Sequence, residues 1–273
     1  MSWLQSILRM TRGPATAAAL AALLTSSACV LKTSDIDDDT AADPADAGSA
    51  SGDDSGDSDD PGDPDPDGGA TVQPAGDATL SGSVSVPQLG FGDVVDLSAT
   101  GATDWAHWGL AGDVGAYNHR GDVAQPISDV VQLGEASLLS TNCCIGDGFS
   151  WAEGTPTSAA TDAIGGIYVD TASASGDGFR LVVPADRTER TVRLYTGNWC
   201  VRAKLTATLS DASAGPFVDT SFDVPGAELL TAVYEIDYAA ADDGQSLTID
   251  FTIDDNHCTE GDVGELHLFA AAR

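Results

Sequence analysis

Five large aromatic side chains, Trp105, Trp108, Tyr117, Trp151 and Trp199, are the residues best suited to meet a ligand in a chain where Phe, Trp and Tyr make up only 6% of 273 residues. An exposed indole or phenol ring can stack on the apolar face of a sugar, so these five are the candidate ligand-binding residues. If 105–108 is a strand, Trp105 and His107 share one face while Ala106 and Trp108 take the other. One tryptophan then sits in a core and its neighbour is left to meet a ligand. The competing role for each ring is simply to fill a sandwich interior.

Other chemistries find less support. The four histidines, His107, His119, His257 and His267, stand at neither H-x-x-x-H nor H-x-H spacing, so sequence alone assembles no zinc site. Asp254, Asp255, Glu260 and Asp262 surround Cys258 and are weak candidate ligands for calcium, set against a solvated hairpin loop. Asp63-Pro64-Asp65-Pro66-Asp67-Gly68 matches the first half of a calcium loop, but Pro74 stands where the bidentate Glu belongs. No G-x-S-x-G elbow is present, and no catalytic residue is assigned. Arg120-Gly121-Asp122 spells an adhesion tripeptide, which three residues match readily by chance.

The chain begins as exported proteins do. Arg9 and Arg12 precede an apolar run over 15–24 and small residues over 25–28, and that run is too short to span a bilayer. Ser26-Ser27-Ala28-Cys29 resembles the bacterial lipoprotein box, with Ser26 where Leu is common. The expected product is a signal peptide over 1–28 and an acylated Cys29 holding the chain at a membrane, with the outer membrane or cell surface favoured by Val30. Ordinary secretion is the alternative. Cysteine parity supports the lipid: removing Cys29 leaves four of five cysteines, an even set for an oxidising compartment. Cys143 and Cys144 are adjacent, and a bond between neighbours is strained. Each is therefore expected to pair with a distant partner, Cys200 or Cys258, in either combination, stabilising by about 2–4 kcal/mol per bond.

Residues 29–78 are dominated by Asp, Gly, Ser, Ala and Pro and hold too little apolar surface to offset chain entropy. As a flexible coil the roughly 49 residues after the cysteine would span about 35–42 Å, a spacer between membrane and domain. Of the formal charge of −32, about −20 falls on 79–273, which holds 28 acidic and 8 basic residues. Such a surface repels phosphate backbones and anionic head groups. Nucleic acid is excluded as a partner; neutral carbohydrate, an envelope protein or a divalent cation is not.

From 79 onward, short β-rich runs alternate with Gly, Asp, Ser and Pro. Clear strands are expected over 93–99, 164–169, 178–183, 191–195, 203–209, 233–238, 247–253 and 263–269. In Leu247-Thr248-Ile249-Asp250-Phe251-Thr252-Ile253 the apolar residues fall on one face. About eight to ten strands read as an all-β antiparallel sandwich or jelly roll. The 110–160 stretch, poor in strand signals, is expected to form extended loops at one end, stapled there by the cysteines.

Three groups of residues extend this reading. They are Asp104-Trp105-Ala106-His107-Trp108-Gly109, then Asn118-His119-Arg120, then Phe149-Ser150-Trp151-Ala152-Glu153-Gly154-Thr155-Pro156. With Gly166-Ile167-Tyr168-Val169, Gly178-Phe179, Tyr195-Thr196-Gly197 and Leu209-Ser210-Asp211 they resemble, in order, a module of secreted bacterial proteins sometimes found beside glycoside hydrolase domains. That resemblance implies a surface-exposed accessory β-sandwich without known catalysis. The four domain cysteines depart from it. The expectation is a monomeric, membrane-anchored, non-catalytic binding module for carbohydrate or a protein partner, with a structural envelope lipoprotein as the alternative and a hydrolase behind both.

Overall fold

The structure is a computed structural model that describes residues 77–88, 90–143, 145–146, 148–171, 175–258 and 263–273. The leader, Cys29, the acidic stretch as far as residue 76, Cys144, Glu260 and Asp262 lie outside the described residues. Among those described, no helix is long and apolar enough to cross a membrane.

The described chain is nearly all strand. It opens with β1 (Thr79–Gln88), β2 (Val95–Asp96), a single helical turn α1 (Leu97–Thr100), β3 (Trp105–Trp108) and β4 (Tyr117–Arg120). Short pieces follow: β5 (Val131–Leu133), β6 (Ser137–Thr141), β7 (Phe149–Trp151), β8 (Gly154–Thr155) and β9 (Ala160–Ala163). The remaining elements are β10 (Gly166–Thr171), β11 (Gly178–Ala185), β12 (Arg190–Trp199), β13 (Val201–Leu209) and β14 (Phe217–Asp219). Three long strands close the fold, β15 (Leu229–Ala239), β16 (Gln245–Asn256) and β17 (Gly264–Ala272).

Two sheets form the sandwich. A nine-stranded sheet runs β1-β15-β12-β17-β3-β4-β8, with β10 paired to β17 and β6 to β10, and a five-stranded sheet runs β14-β13-β16-β11-β5. Every ladder in these two sheets is antiparallel. The alternation in β16 does what its pattern dictates: Leu247, Ile249, Phe251 and Ile253 are all buried, facing Tyr234, Leu194 and Leu268 of the larger sheet. Each such side chain taken out of water stabilises by about 1.5–3 kcal/mol.

The larger sheet carries apolar residues on its other face as well. Trp105, Tyr195 and Phe269 project away from the main core and form a second cluster with Phe149 and Trp151. A three-stranded sheet, β2-β7-β9, covers them. One part of the domain is therefore three layers thick, which explains why Arg193 and Tyr195 partition less cleanly than their neighbours: Arg193 is partly exposed and Tyr195 is buried.

Two sequence expectations change. The 110–160 stretch supplies β4 through β8 and the start of β9 rather than extended loops, because pieces of two to five residues are too short to show a period. The expected strand over 93–99 is interrupted after Asp96, whose carboxylate accepts from Ser98 N at 2.9 Å and Ala99 N at 3.2 Å and so caps α1.

Candidate functional site

The outer face of the nine-stranded sheet is left open beside the second cluster, where β10, β17 and β12 run side by side. β17 forks the sheet: Gly264–Leu268 pairs with β10, while Ala270–Ala272 pairs with β3. Its residues Leu266 and Leu268 enter the main core, so Glu265 and His267 face the other way. Register then assembles two rows. Tyr168 stands opposite His267, which stands opposite Gly197. Two residues along, Asp170 faces Glu265, which faces Trp199, which faces Leu229.

These rows border an open cavity of about 300 Å³. Tyr168 lines one side and Trp199 with Leu229 the other, two strand spacings or about 10 Å apart. Ser140, Thr141 and Cys143 complete the rim. The Thr141 hydroxyl accepts from Cys143 N at 3.3 Å, bracing the chain where the sulfur meets the cavity.

Glu265 and His267 supply the polar chemistry of the floor. His267 Nε2 lies 2.9 Å from Glu265 Oε2. Its ring stacks on Tyr168, at 5.0 Å and 21°, and lies nearly parallel to Phe269, at 5.9 Å and 14°. His267 is only 4% exposed, and its enclosed Nδ1 has no hydrogen-bond partner among the described residues. A carboxylate can only accept, so Nε2 is the ring nitrogen that donates to Glu265. The Tyr168 phenol is pushed above its usual pKa by burial, then by the charges of Glu265 and Asp170, so its hydroxyl keeps its proton.

The other aromatic candidates have structural work. Trp105, Trp108 and Trp151 are 0%, 1% and 3% exposed and are core side chains rather than ligand platforms. Trp105 packs on Trp151 with centroids 5.4 Å apart. Trp108 Nε1 donates to Asp129 at 3.0 Å, and Trp151 Nε1 to Thr157 O at 3.1 Å. The Tyr117 hydroxyl donates to Ile127 O, and its ring lies stacked between His119 and Trp108. Of the five, Trp199 lines the cavity. Tyr168, Glu265 and His267 were not singled out from sequence, although Glu265 and His267 alternate with Leu266 and Leu268 as the polar face of a strand.

The residues that carry the module resemblance are shared between the two cores, Trp108, Ile167, Val169 and Phe179 in the main one and Trp105, Phe149, Trp151 and Tyr195 in the second. Asp104 is fully buried and accepts from Trp105 N at 2.8 Å and Ile127 N at 2.6 Å, with Arg273 3.8 Å away. Desolvation raises its pKa, opposed by these backbone donors and by Arg273. Asn118 Oδ1 accepts from Thr157 N at 3.1 Å.

The expected long-range disulfides are not formed. Cys143 is disulfide-bonded, Cys200 is a buried thiol, and the Cys258 sulfur lies 3.2 Å from Val263 O as a donor. The partner of Cys143 is therefore neither Cys200 nor Cys258; the chain's other cysteines, Cys29 and Cys144, lie outside the described residues. Cys200 follows the end of β12 and Cys143 lies beyond β6 at the cavity rim, and neither pairing expected from cysteine parity and the strain between neighbours is made.

Of the weak cation candidates, Asp254 and Asp255 are described, and both are engaged. Asp254 pairs with Arg202 at 2.7 Å, Asp255 lies 3.6 Å from the same guanidinium, and Asp223 meets His257 at 2.6 Å. Among the described residues no cluster is arranged to hold a metal ion. Arg120 is tied to Asp122, Glu153 and the Ala102 carbonyl, at 3.0, 3.2 and 2.8 Å, so its guanidinium is engaged within the protein while Gly121 and Asp122 are exposed. No protein-family model, no curated protein and no solved structure matches the chain. The reading of the cavity therefore rests on its geometry.

Proposed function

We propose that the chain is an exported binding protein, held at a membrane through an acylated Cys29, whose β-sandwich takes neutral carbohydrate without turning it over. The observation that carries the reading is the open cavity between Tyr168 and Trp199, both partly exposed, while Trp105, Trp108 and Trp151 are buried. Two aromatic walls over a floor of hydrogen-bonding groups suit a ring with apolar faces and hydroxyl edges. Among the described residues that line the cavity, Glu265 is the one carboxylate and is bonded to an imidazole, whereas glycoside hydrolysis asks for two flanking the scissile bond. The acidic stretch after Cys29 fits a spacer that keeps the domain clear of the surface.

The test is titration of the full chain with a panel of neutral oligosaccharides, read by tryptophan fluorescence and calorimetry. Saturable binding is expected, with Trp199→Ala and Tyr168→Ala each weakening it about 5- to 30-fold, the range of a lost ring stack worth about 1–2 kcal/mol. A panel giving no saturable response would sink the reading. Mass spectrometry of the mature N-terminus tests the anchor independently, since an unmodified residue 29 removes it.

A further inference from the structure

We propose that β1 is a self-association edge: its free side pairs antiparallel with β1 of a second copy of the chain, joining two large sheets into one. This departs from the monomer expected from sequence and is independent of what the cavity binds. β1 ends the nine-stranded sheet, held by β15 on one side, and among the described residues nothing pairs with its other side. A row of unpaired N–H and C=O groups is complementary to one kind of partner, another extended strand. β1 has ten residues. The other edges of the two sandwich sheets offer less, three residues each in β14 and β5, two in β8 and five in β6.

This edge lacks the usual devices against such pairing. Residues 79–85 carry no charge and no proline, and their register with β15 is unbroken, the irregularity coming only after Ser85. In a domain of about −20 the edge itself is neutral. The nearest acids, Asp237 and Glu235, stand opposite Ser81 and Ser83 and are engaged by the next strand. Asp237 accepts from the Thr191 hydroxyl, and Glu235 pairs with Arg193 at 2.7 Å. Alternation also fixes how two copies meet. Leu80 and Val84 pack on the main core and Gly82 lies over the Phe217 ring, while Thr79, Ser81, Ser83 and Ser85 are exposed. Core-facing residues must oppose core-facing residues. A two-fold axis at Gly82 achieves this and centres the run on itself. Leu80 then stands opposite the partner's Val84, and Ser81 opposite the partner's Ser83. The same surface serves both copies, so the contact closes as a dimer.

The sequence ahead of β1 favours a second copy over the chain's own leading segment. That segment carries Pro44, Pro61, Pro64, Pro66 and Pro74 among its many aspartates. Proline cannot donate to a ladder, and Asp is depleted in strands. The segment instead sets a distance: about 49 residues, spanning about 35–42 Å as a coil, separate Cys29 from β1. They lead directly into the strand that pairs. On the anchor reading above, copies held at one surface keep their β1 edges within reach of each other, which raises the effective concentration for pairing.

Sedimentation velocity of the full chain carrying Cys29→Ser, which removes the acylation site, tests the pairing in solution. A reversible dimer is expected, with Kd of about 10–100 µM. It should tighten about 3- to 10-fold between about 0.05 and 0.5 M NaCl, as repulsion between two acidic domains is screened. Ser81→Lys/Ser83→Lys is the blocking variant. Each lysine faces an acid of its own β15, which keeps the fold, while across the dimer lysine opposes lysine. The variant should weaken the dimer by about 10-fold or more while urea unfolding shows no loss of stability. Ser81→Cys and Ser83→Cys chains, mixed in oxidised glutathione, should yield a peptide joining residue 81 of one to residue 83 of the other. Either variant alone should crosslink far less. A chain that stays monomeric at about 500 µM overturns the inference, even where the edge captures another protein. So does a dimer indifferent to the lysines, or one in which the mixed chains do not crosslink.

Discussion

The imidazole of His267 lies against the phenol ring of Tyr168, with centroids 5.0 Å apart and planes 21° apart, because the two residues face each other across the β10–β17 ladder. Phe269 lies nearly parallel to the imidazole, with centroids 5.9 Å apart. These rings hold the imidazole where Nε2 meets Glu265 at 2.9 Å. The stacking should be separable from that hydrogen bond. His267→Ala is expected to lower unfolding free energy by about 1–3 kcal/mol through lost packing and stacking. His267→Phe should stay within about 1 kcal/mol of the wild type. Urea unfolding of the two variants decides it, and an equal loss in both would show that the rings do not support each other.

His107 is a second buried imidazole with the opposite task. It packs against Phe149, at 5.5 Å, and Trp151, at 4.8 Å, and the polar group that meets its ring is the Gly165 backbone. Burial pushes its pKa from 6.5 down to about 3, opposed only by the Gly165 backbone. Between those values the unfolded chain binds a proton that the folded chain refuses. The stability associated with neutral His107 is thus complete above about pH 6.5 and declines toward pH 3, by about 1.4 kcal/mol per unit. His107→Leu should remove this part of the slope, while costing little near neutrality because the desolvated ring nitrogens go with it. Between pH 6.5 and 5 the wild type should lose about 2 kcal/mol more than the variant in urea unfolding. Parallel slopes would mean that the imidazole finds a way to charge in place.

The all-β sandwich was legible because its long strands advertise themselves. Leu247 through Ile253 alternate without a break, and the structure buries every second residue. The fate of the tryptophans was not legible. Alternation correctly sent Trp105 and Trp108 to opposite faces, but nothing local says that β2, β7 and β9 return to cover the face that Trp105 occupies. The cavity was hidden for a related reason. Tyr168, Trp199 and Glu265 come from separate strands, and only ladder register places them around one opening. Periodicity assigns a side chain to a face; it does not say which strand lies alongside.

A tight connection next to β5 offers a test of packing rather than of the site. Gly134 has φ of 77°, and a Cβ placed there would fall 1.9 Å from Asp177 Oδ1. That same oxygen accepts from Glu135 N at 2.9 Å and Ala136 N at 3.3 Å, tying the turn between β5 and β6 to the start of β11. Gly134→Ala should therefore cost about 2–4 kcal/mol, more than the left-handed backbone alone demands. In an Asp177→Ala background the same change should cost less, about 1–2 kcal/mol, because the contact with the carboxylate is gone while the 2.9 Å approach to the Cα of residue 177 and the backbone strain remain. A double-mutant cycle by thermal or urea unfolding measures the difference, and strict additivity would place the strain elsewhere.

Thiol chemistry distinguishes the cysteine arrangement from the one that spacing suggested. Cys200 is 4% exposed and keeps its thiol, so a water-soluble alkylating reagent should reach it only after unfolding. Cys143 is already in a disulfide and should not react until reductant is added. Alkylation of the native full chain, then of the denatured chain, then of the reduced chain, each followed by peptide mass spectrometry, should label these two residues at different steps. The unreduced digest should contain no peptide joining Cys143 to Cys200 or to Cys258. Finding either crosslink would mean that the rim of the cavity is tied to the β12–β13 junction, and Trp199 would then be held by a covalent strap instead of by its ladder partners Glu265 and Leu229. With ladder pairing alone, reduction of the native chain should leave the fluorescence of Trp199 and its response to ligand unchanged.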